Sequence, residues 1–359
     1  MTLLAVTVCC FLATPIVRDD PTEGAVIDAI RARGGTVEQF GKVVRLSITE
    51  QTDAQFKELA ALKNLTTLYL SDTRVTGVGL KELSALKNLT TLKLSDSLLT
   101  DAGMKELATL DNLTILDFSA TGVTGTGLKE LSALKNLTTL TLASMDVTDA
   151  SLEELVVLKN LTTLDLSGTR VTGTGLKELA ALKKLATLDL RGPWGGELAC
   201  GKECYKKMLL TDAGAKELAG LDSLTTIDLS GNNVTDAILR ELAASKNLMA
   251  LNLSSTKVTD ADMKELAGLG NLCILHISEC MNLTDDGLKE IATLKNLTTI
   301  DLMMTVVSDT GLMELCAIPG LAHLRVAGSV VSIAAEREFV RRNPRCDLSV
   351  LSWSDAIKR

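Results

Sequence analysis

The chain has 359 residues, 46% of them apolar but only 3% aromatic, so its core must be aliphatic; sandwiches and barrels ordinarily want more Tyr, Phe and Trp. A net charge of −8 argues against nucleic acid as the partner, because phosphate binding needs a basic face. No stretch reaches the roughly 20 apolar residues of a membrane-spanning helix, and the cysteines show no regular period that would make a disulfide framework.

The N-terminal stretch MTLLAVTVCCFLATPIV is apolar and gives way abruptly to Arg18-Asp19-Asp20. That is the profile of the hydrophobic part of an export signal, with cleavage expected near Ala13-Thr14, although the basic segment that usually opens such signals is missing. Residues 1–20 therefore stand apart from the fold. Over 21–61 an N-terminal cap and a first half-repeat are expected: a helix over 22–33 stopped by Gly34-Gly35, then a strand over 43–48.

Self-comparison then finds a period of 24 residues. Leu62, Leu86, Leu110, Leu134, Leu158 and Leu182 open six successive blocks; Leu221, Ser245, Leu269, Leu294 and Ile318 open five more. The block at Leu182 carries 15 extra residues and the block at Leu269 one. Within the block at Leu158, Leu161, Leu164 and Leu166 stand at L-x-x-L-x-L, and the last pair has the period of two of a short strand facing a core. Leu176 and Leu179, three apart, share one face of a short helix. Where Thr-Asp precedes the helix, as at Asp101, Asp212 and Asp285, the Asp is expected to be the N-cap. No block can bury its apolar face alone. Stacked, the blocks make one continuous core.

These residues resemble the leucine-rich repeat family, in the variety whose blocks end x-V-T-D-x-G-L-K-E-L. Ribonuclease-inhibitor-like and F-box-associated repeats, and those of many bacterial proteins, have this spelling. The resemblance runs from Leu46 to about Val350. It implies an α/β solenoid: a curved leucine-rich-repeat horseshoe, with a parallel β-sheet on the concave face and short helices on the convex face. It also implies protein binding on the inner sheet, no catalytic residues and no cofactor. Residues 62–317 then hold the repeats, with an inserted loop at 192–209, and 318–359 hold a final repeat and a C-terminal cap. In that cap Ser332 can start a helix over 333–342 that halts before Pro344, and a last strand over 346–350 leaves Trp353 to cover the open core. Arg341, Arg342 and Arg345 suit a helix C-terminus.

Because the blocks are near copies, departures from the common spelling carry the functional information. The concave position between the two inward leucines reads Arg45, Tyr69, Lys93, Asp117, Thr141, Asp165, Asp189, Asp228, Asn252, His276, Asp301 and Arg325. With strands ~4.8 Å apart, Asp165, Asp189 and Asp228 form a ladder of neighbouring carboxylates, with Asp117 further along, that suits a protein with a basic surface. The plainer reading is that L-D-L is the default spelling of the repeat. The insertion begins just after Asp189 and holds Trp194 and Tyr205, residue types that most often anchor interfaces; otherwise it is a surface excursion packed on itself. Cys200 and Cys204 are too few for zinc without histidine, and a disulfide between them would require export.

His276 and His323 on either side of Asp301 invite a catalytic or metal reading, but neither a nucleophile nor a pocket accompanies them. Asn-Leu-Thr at Asn64, Asn88, Asn112, Asn136 and Asn160 imitates a glycosylation acceptor and belongs instead to the repeat's turn-to-strand spelling. The reading reached is an exported, non-enzymatic module that holds a protein on its concave sheet and inserted loop. Its rivals are an intracellular substrate-recognition adaptor resembling F-box leucine-rich-repeat proteins, for whose F-box the residues before Val43 are too few, and an enzyme centred on His276, Asp301 and His323.

Overall fold

In the computed structural model the described residues are 21–40, 43–48, 53–192, 210–327 and 331–351. The expectations placed on residues 1–20, Trp194, Cys200, Cys204, Tyr205 and Trp353 lie outside them.

Each block contributes a strand, mostly of three residues, as in Thr163–Asp165, where Leu164 turns into the core while its two neighbours face outward. Among the described residues fourteen strands, from Thr36–Phe40 to Asp347–Leu351, form one sheet in chain order. The sheet lines the concave side of a curved solenoid and short helices back it. All neighbouring strands run parallel except the first two, since Thr36–Phe40 and Val43–Ser47 pair antiparallel. The 24-residue pattern does not foretell that hairpin. Its reason is local: two linking residues can close a hairpin, whereas a parallel crossover needs a dozen or more.

The core is a single aliphatic column. In one block Leu158, Leu161, Leu164, Leu166, Val171, Leu176 and Leu179 are all at most 6% exposed. Each such side chain contributes about 2 kcal/mol of burial, most of which chain entropy offsets. As the chain leaves most of the strands, one residue adopts a left-handed conformation, from φ 51° at Ala120 to 71° at Gly231. For a residue other than glycine this costs about 1 kcal/mol. The turn aims that residue's N–H at the next block, as Asp96 donates to the Ser119 carbonyl at 3.0 Å and Ala120 to that of Ala143 at 2.9 Å. The recurring Asn does the same at the other end of the strand: Asn88, Asn136 and Asn160 donate to the carbonyls of Lys63, Asp111 and Lys135 in the preceding blocks. That contact explains the Asn-Leu-Thr spelling without any sugar.

The helix starts correct one expectation. Thr100, Thr211 and Thr284 are the N-caps, and Asp101, Asp212 and Asp285 are the first helical residues of Asp101–Leu107, Asp212–Leu218 and Asp285–Ile291. The carboxylates reach forward into the next block instead. Asp101 accepts from the N–H and hydroxyl of Thr124, both at 2.8 Å, Asp285 from those of Ser308, and Asp212 from the Thr235 hydroxyl. An Asp in the first turn still meets the positive end of its own helix, so stapling and dipole act together.

At the C-terminal end Ser332 caps the helix Ile333–Arg342, accepting from the Ala335 N–H at 3.2 Å, and Arg341 and Arg342 both bond Glu338. No helix of the described residues is long and apolar enough to cross a membrane.

Candidate functional site

The strand register sets the outward row of the concave sheet. Asp165 stands opposite Asp189 and Asp189 opposite Asp228, so the structure brings these three together. Thr141 separates Asp117 from the trio, and Asn252 follows Asp228. Arg45 leaves the row: an irregularity between Val44 and Arg45 sets it opposite Thr67, with Ser47 beside Tyr69.

Each Asp of the row has a local task. Its carboxylate accepts the N–H two residues on: Ser119 to Asp117 at 3.0 Å, Ser167 to Asp165 at 2.8 Å, Arg191 to Asp189 at 3.0 Å and Ser230 to Asp228 at 2.9 Å. Asp and Asn favour such turns, and Asn252 makes the same bond to the Ser254 N–H. The L-D-L-S spelling is therefore useful to the fold before any partner is considered.

Four blocks depart from that spelling, with Ala143, Arg191, Met303 and Ala327, and of these only Arg191 is charged. The position after the second inward leucine is Ser71, Ser95, Ser119, Ser167, Ser230, Ser254 and Ser278, but Arg191 in the block that carries the insertion. Its Nη2 lies 2.7 Å from Asp189 and 4.0 Å from Asp165, and its Nε 3.9 Å from Asp228. This corrects the picture of three bare carboxylates repelling one another, because an opposite charge sits among them. Burial pushes the Asp189 carboxyl up to about 6; the Arg191 hydrogen bond pulls it down and the Asp165 charge adds to the rise. Burial would also free the guanidinium of its proton, but its hydrogen bond to Asp189 and the charges of Asp189, Asp228 and Asp165 outweigh that and hold it cationic. The cluster is a half-buried, partly compensated patch, still net negative. The serine-to-arginine change was legible in the sequence as L-D-L-R, although its placement among three carboxylates was not.

A second residue escaped sequence reasoning. Asn232 stands where several blocks have a buried Thr, such as Thr73, Thr169 and Thr256, whose hydroxyls bond a carbonyl three residues back. It is 2% exposed, and its Nδ2 donates to the Leu190 and Leu229 carbonyls while its Oδ1 accepts from the Leu210 N–H. Leu190 and Leu210 flank the insertion, so this one amide closes its base. Gly192 packs there too, since a Cβ on it would lie 2.6 Å from the Gly231 carbonyl oxygen.

The histidine cluster does not assemble. His276 lies opposite Asp301, but His323 lies opposite Thr299, two residues before the row. Asp301 is buried, accepts the Met303 N–H and pairs with Arg325 at 2.9 Å rather than with either histidine. Cys280, close to His276 in sequence, is buried with its thiol donating to the Leu253 carbonyl; burial pushes its pKa up, the opposite of what a nucleophile needs. Among the described residues no group of three or more His, Cys, Asp or Glu side chains could hold a metal ion.

Residues 61–84, 85–108, 157–180, 222–243, 244–267 and 293–316 match the family model described as Leucine Rich repeat. No curated protein matches the chain. Among solved structures, an internalin (inlF) from Listeria monocytogenes is 19% identical, with 86% of each chain covered and a TM-score of 0.58, a likeness of fold. An internalin C2 (inlC2) from the same organism is 25% identical over 62% of this chain and 83% of that one, with a TM-score of 0.45. The functional domain of InlJ from Listeria monocytogenes is 17% identical over 83% of this chain and 57% of that one, with a TM-score of 0.49.

Proposed function

The chain belongs to the leucine-rich repeat family, and from that premise we propose that it is a non-enzymatic scaffold holding a protein partner on its concave sheet, beside the insertion at 192–209. The observation that carries this reading is the meeting of three departures at one place. Arg191 stands where most blocks have Ser, Asn232 where several have Thr, and the insertion emerges between Leu190 and Leu210, all next to the Asp165–Asp189–Asp228 trio. These departures fall on two adjoining blocks, and the one charged change at the serine position stands on the strand that leads into the insertion.

In this reading Asp165, Asp189 and Asp228, with Asp117 further out, form a polar floor for a partner with basic residues, and Trp194 and Tyr205 are apolar anchors at its rim. The apolar segment 1–20 exports the chain, and mass spectrometry of the mature protein should find its N-terminus between roughly residues 14 and 22. The function is tested by restoring the common spelling: Asp165, Asp189, Asp228 and Arg191 all changed to Ser. A photo-crosslinking residue at Thr163 of the full chain, in native cells, should capture partner proteins with the parent and lose them with the fourfold variant. Equal capture by a folded variant overturns the assignment of this face.

A further inference from the structure

Apart from its charged row, the concave face is lined with threonine. The strand position two before the Asp row reads Thr139, Thr163, Thr187, Thr226 and Thr299 along most of the sheet, and the residue before it is also usually Thr. Those preceding threonines bind their neighbours, as Thr138 donates its hydroxyl to the Thr114 carbonyl at 3.0 Å and Thr162 to that of Thr138 at 2.9 Å. On two adjacent strands both positions turn apolar together: Met249 and Ala250 on one, Cys273 and Ile274 on the next, with Ala250 opposite Ile274. Met249 is 48% exposed and Ile274 36%. Neither side chain is needed to fill the core, which the inward leucines already complete, and exposed apolar side chains gathered in this way mark a contact surface.

We propose that this patch receives an aliphatic side chain of the partner, which is an extended protein segment carrying a basic residue about four positions away. The proposal rests on the concave-face reading above and names the partner's chemistry. Charge and distance select the occupant. Ile274 lies two strands from Thr226, and Asp228 lies two residues beyond Thr226 on the same strand. Two strand spacings and two residues place the apolar patch about 12 Å from the net-negative cluster, and residues four apart on one face of an extended segment are about 13 Å apart. A basic side chain can then meet Asp228 and its neighbours while the aliphatic one covers Ile274 and Met249. Neither half needs the other's geometry to change.

The test is selection of a phage-displayed library of random peptides on the full chain, followed by fluorescence anisotropy of the enriched peptides. They should pair Leu, Ile or Val with Arg or Lys at a fixed spacing near four. Met249→Thr combined with Ile274→Thr should weaken them about ten-fold. That variant copies the spelling of neighbouring strands, and a Thr at 249 can offer its hydroxyl to the Thr225 carbonyl as Thr225 does to that of Ala186 at 3.2 Å, so it should fold. Asp228→Ser should weaken the same peptides through the charged end. If binding falls with Asp165, Asp189 and Asp228 variants but ignores Met249 and Ile274, this inference fails while the concave-face reading stands. If binding ignores both sets, both fail. A dimer of the parent chain that dissociates in the Met249→Thr, Ile274→Thr variant would name a second copy as the occupant and overturn the peptide assignment.

Discussion

The solenoid joins its blocks differently before and after the insertion, although the core spelling is the same. Before it, the residue after the recurring Thr alternates, Asp at 53, 101 and 149 and Gly at 77, 125 and 173. Each Asp staples the block that follows. Asp53 takes the Thr76 hydroxyl and the Thr76 and Gly77 N–H groups, and Asp149 takes the Thr172 hydroxyl and the N–H groups of Thr172, Gly173 and Gly175. The Gly blocks have no carboxylate to offer the next block, and two of them join it by close backbone approach. Gly77 has φ +96° and Gly103 sits so near it that a Cβ on Gly103 would lie 2.4 Å from the Thr76 carbonyl oxygen. After the insertion every block has Asp, but the staple weakens at once. Ile238 and Asp262 stand where most other blocks have a small residue; Asp212 keeps only the Thr235 hydroxyl, and Thr259 turns to its own Asp262. Full staples resume at Asp260, Asp285 and Asp309. One repeat thus has two ways of fastening itself to the next: Asp or Gly after the recurring Thr chooses between them, and a small residue in the following block leaves the space that both use.

The largest effect should come from filling that space. Gly214→Val would drive its Cβ to 2.4 Å from the Thr172 carbonyl oxygen and 2.5 Å from Gly173 Cα, so it should cost about 3 kcal/mol or more in denaturant unfolding. Gly270→Ala, whose Cβ meets nothing within 4 Å, should be nearly neutral. Removing a staple comes next. Asp149→Ala should lose about 2–3 kcal/mol at neutral pH, while Asp236→Ala, which ends no inter-block bond, should lose less than about 0.5 kcal/mol. A similar loss for both would show that the staples do not distinguish the blocks. Burial alone would raise the Asp149 carboxyl, but the hydrogen bonds from Thr172, Gly175 and Gly173 outweigh it and hold it below its ordinary 3.8. The ionised form is therefore favoured in the folded chain, so this contribution is present above pH 3.8 and lost as the pH falls through the lowered value.

At the seam itself, Asn232→Thr should cost about 2 kcal/mol, because the Leu210 N–H then loses its buried acceptor. Amide hydrogen exchange should show Leu210 opening before its neighbours; unchanged protection would mean that Asn232 does not hold the base of the insertion. The smallest effect is the titration of Asp189. With its carboxyl pushed up to about 6, the folded chain holds a proton that the unfolded chain releases, so this group lowers stability above that pH and the deficit disappears as pH falls from about 6 toward 3.8. Melting temperature should rise slightly from pH 7 to 5 for the parent and lose that slope in Asp189→Asn. A carboxyl carbon shift for Asp189 titrating near the ordinary 3.8 would remove the premise.

Some of the site was legible before the structure and some was not. The row from Lys93 to Arg325 followed from counting, because strands of period two set side by side leave no choice of face. Arg191 and Asn232 were visible as changed letters. Their meaning was not visible, because Arg191 acts on carboxylates on three strands and Asn232 bonds Leu190 and Leu210, 42 and 22 residues away. The capping assignment to Asp101, Asp212 and Asp285 failed for a related reason: capping rules consider one helix, and here the competing donors belonged to the next block. His276, Asp301 and His323 looked like a cluster because they stand on three successive strands, but counting already put Arg325 in the row and His323 two residues before it, and only the structure showed Asp301 paired with Arg325.

By itself the sequence determined the period, the aliphatic core, the parallel strand and helix of each block, and the face on which every repeated position lies. These follow from hydrophobic burial repeated eleven times over at fixed spacing, a signal that any one block's irregularity is too weak to overturn. Tertiary structure alone decided which Asp staples a neighbour, which carboxylate shares Arg191, where the first hairpin forms, and that Met249 and Ile274 meet on one patch. Those outcomes turn on hydrogen bonds and ion pairs between different blocks, whose strength depends on distances of a few tenths of an ångström and on the burial around them.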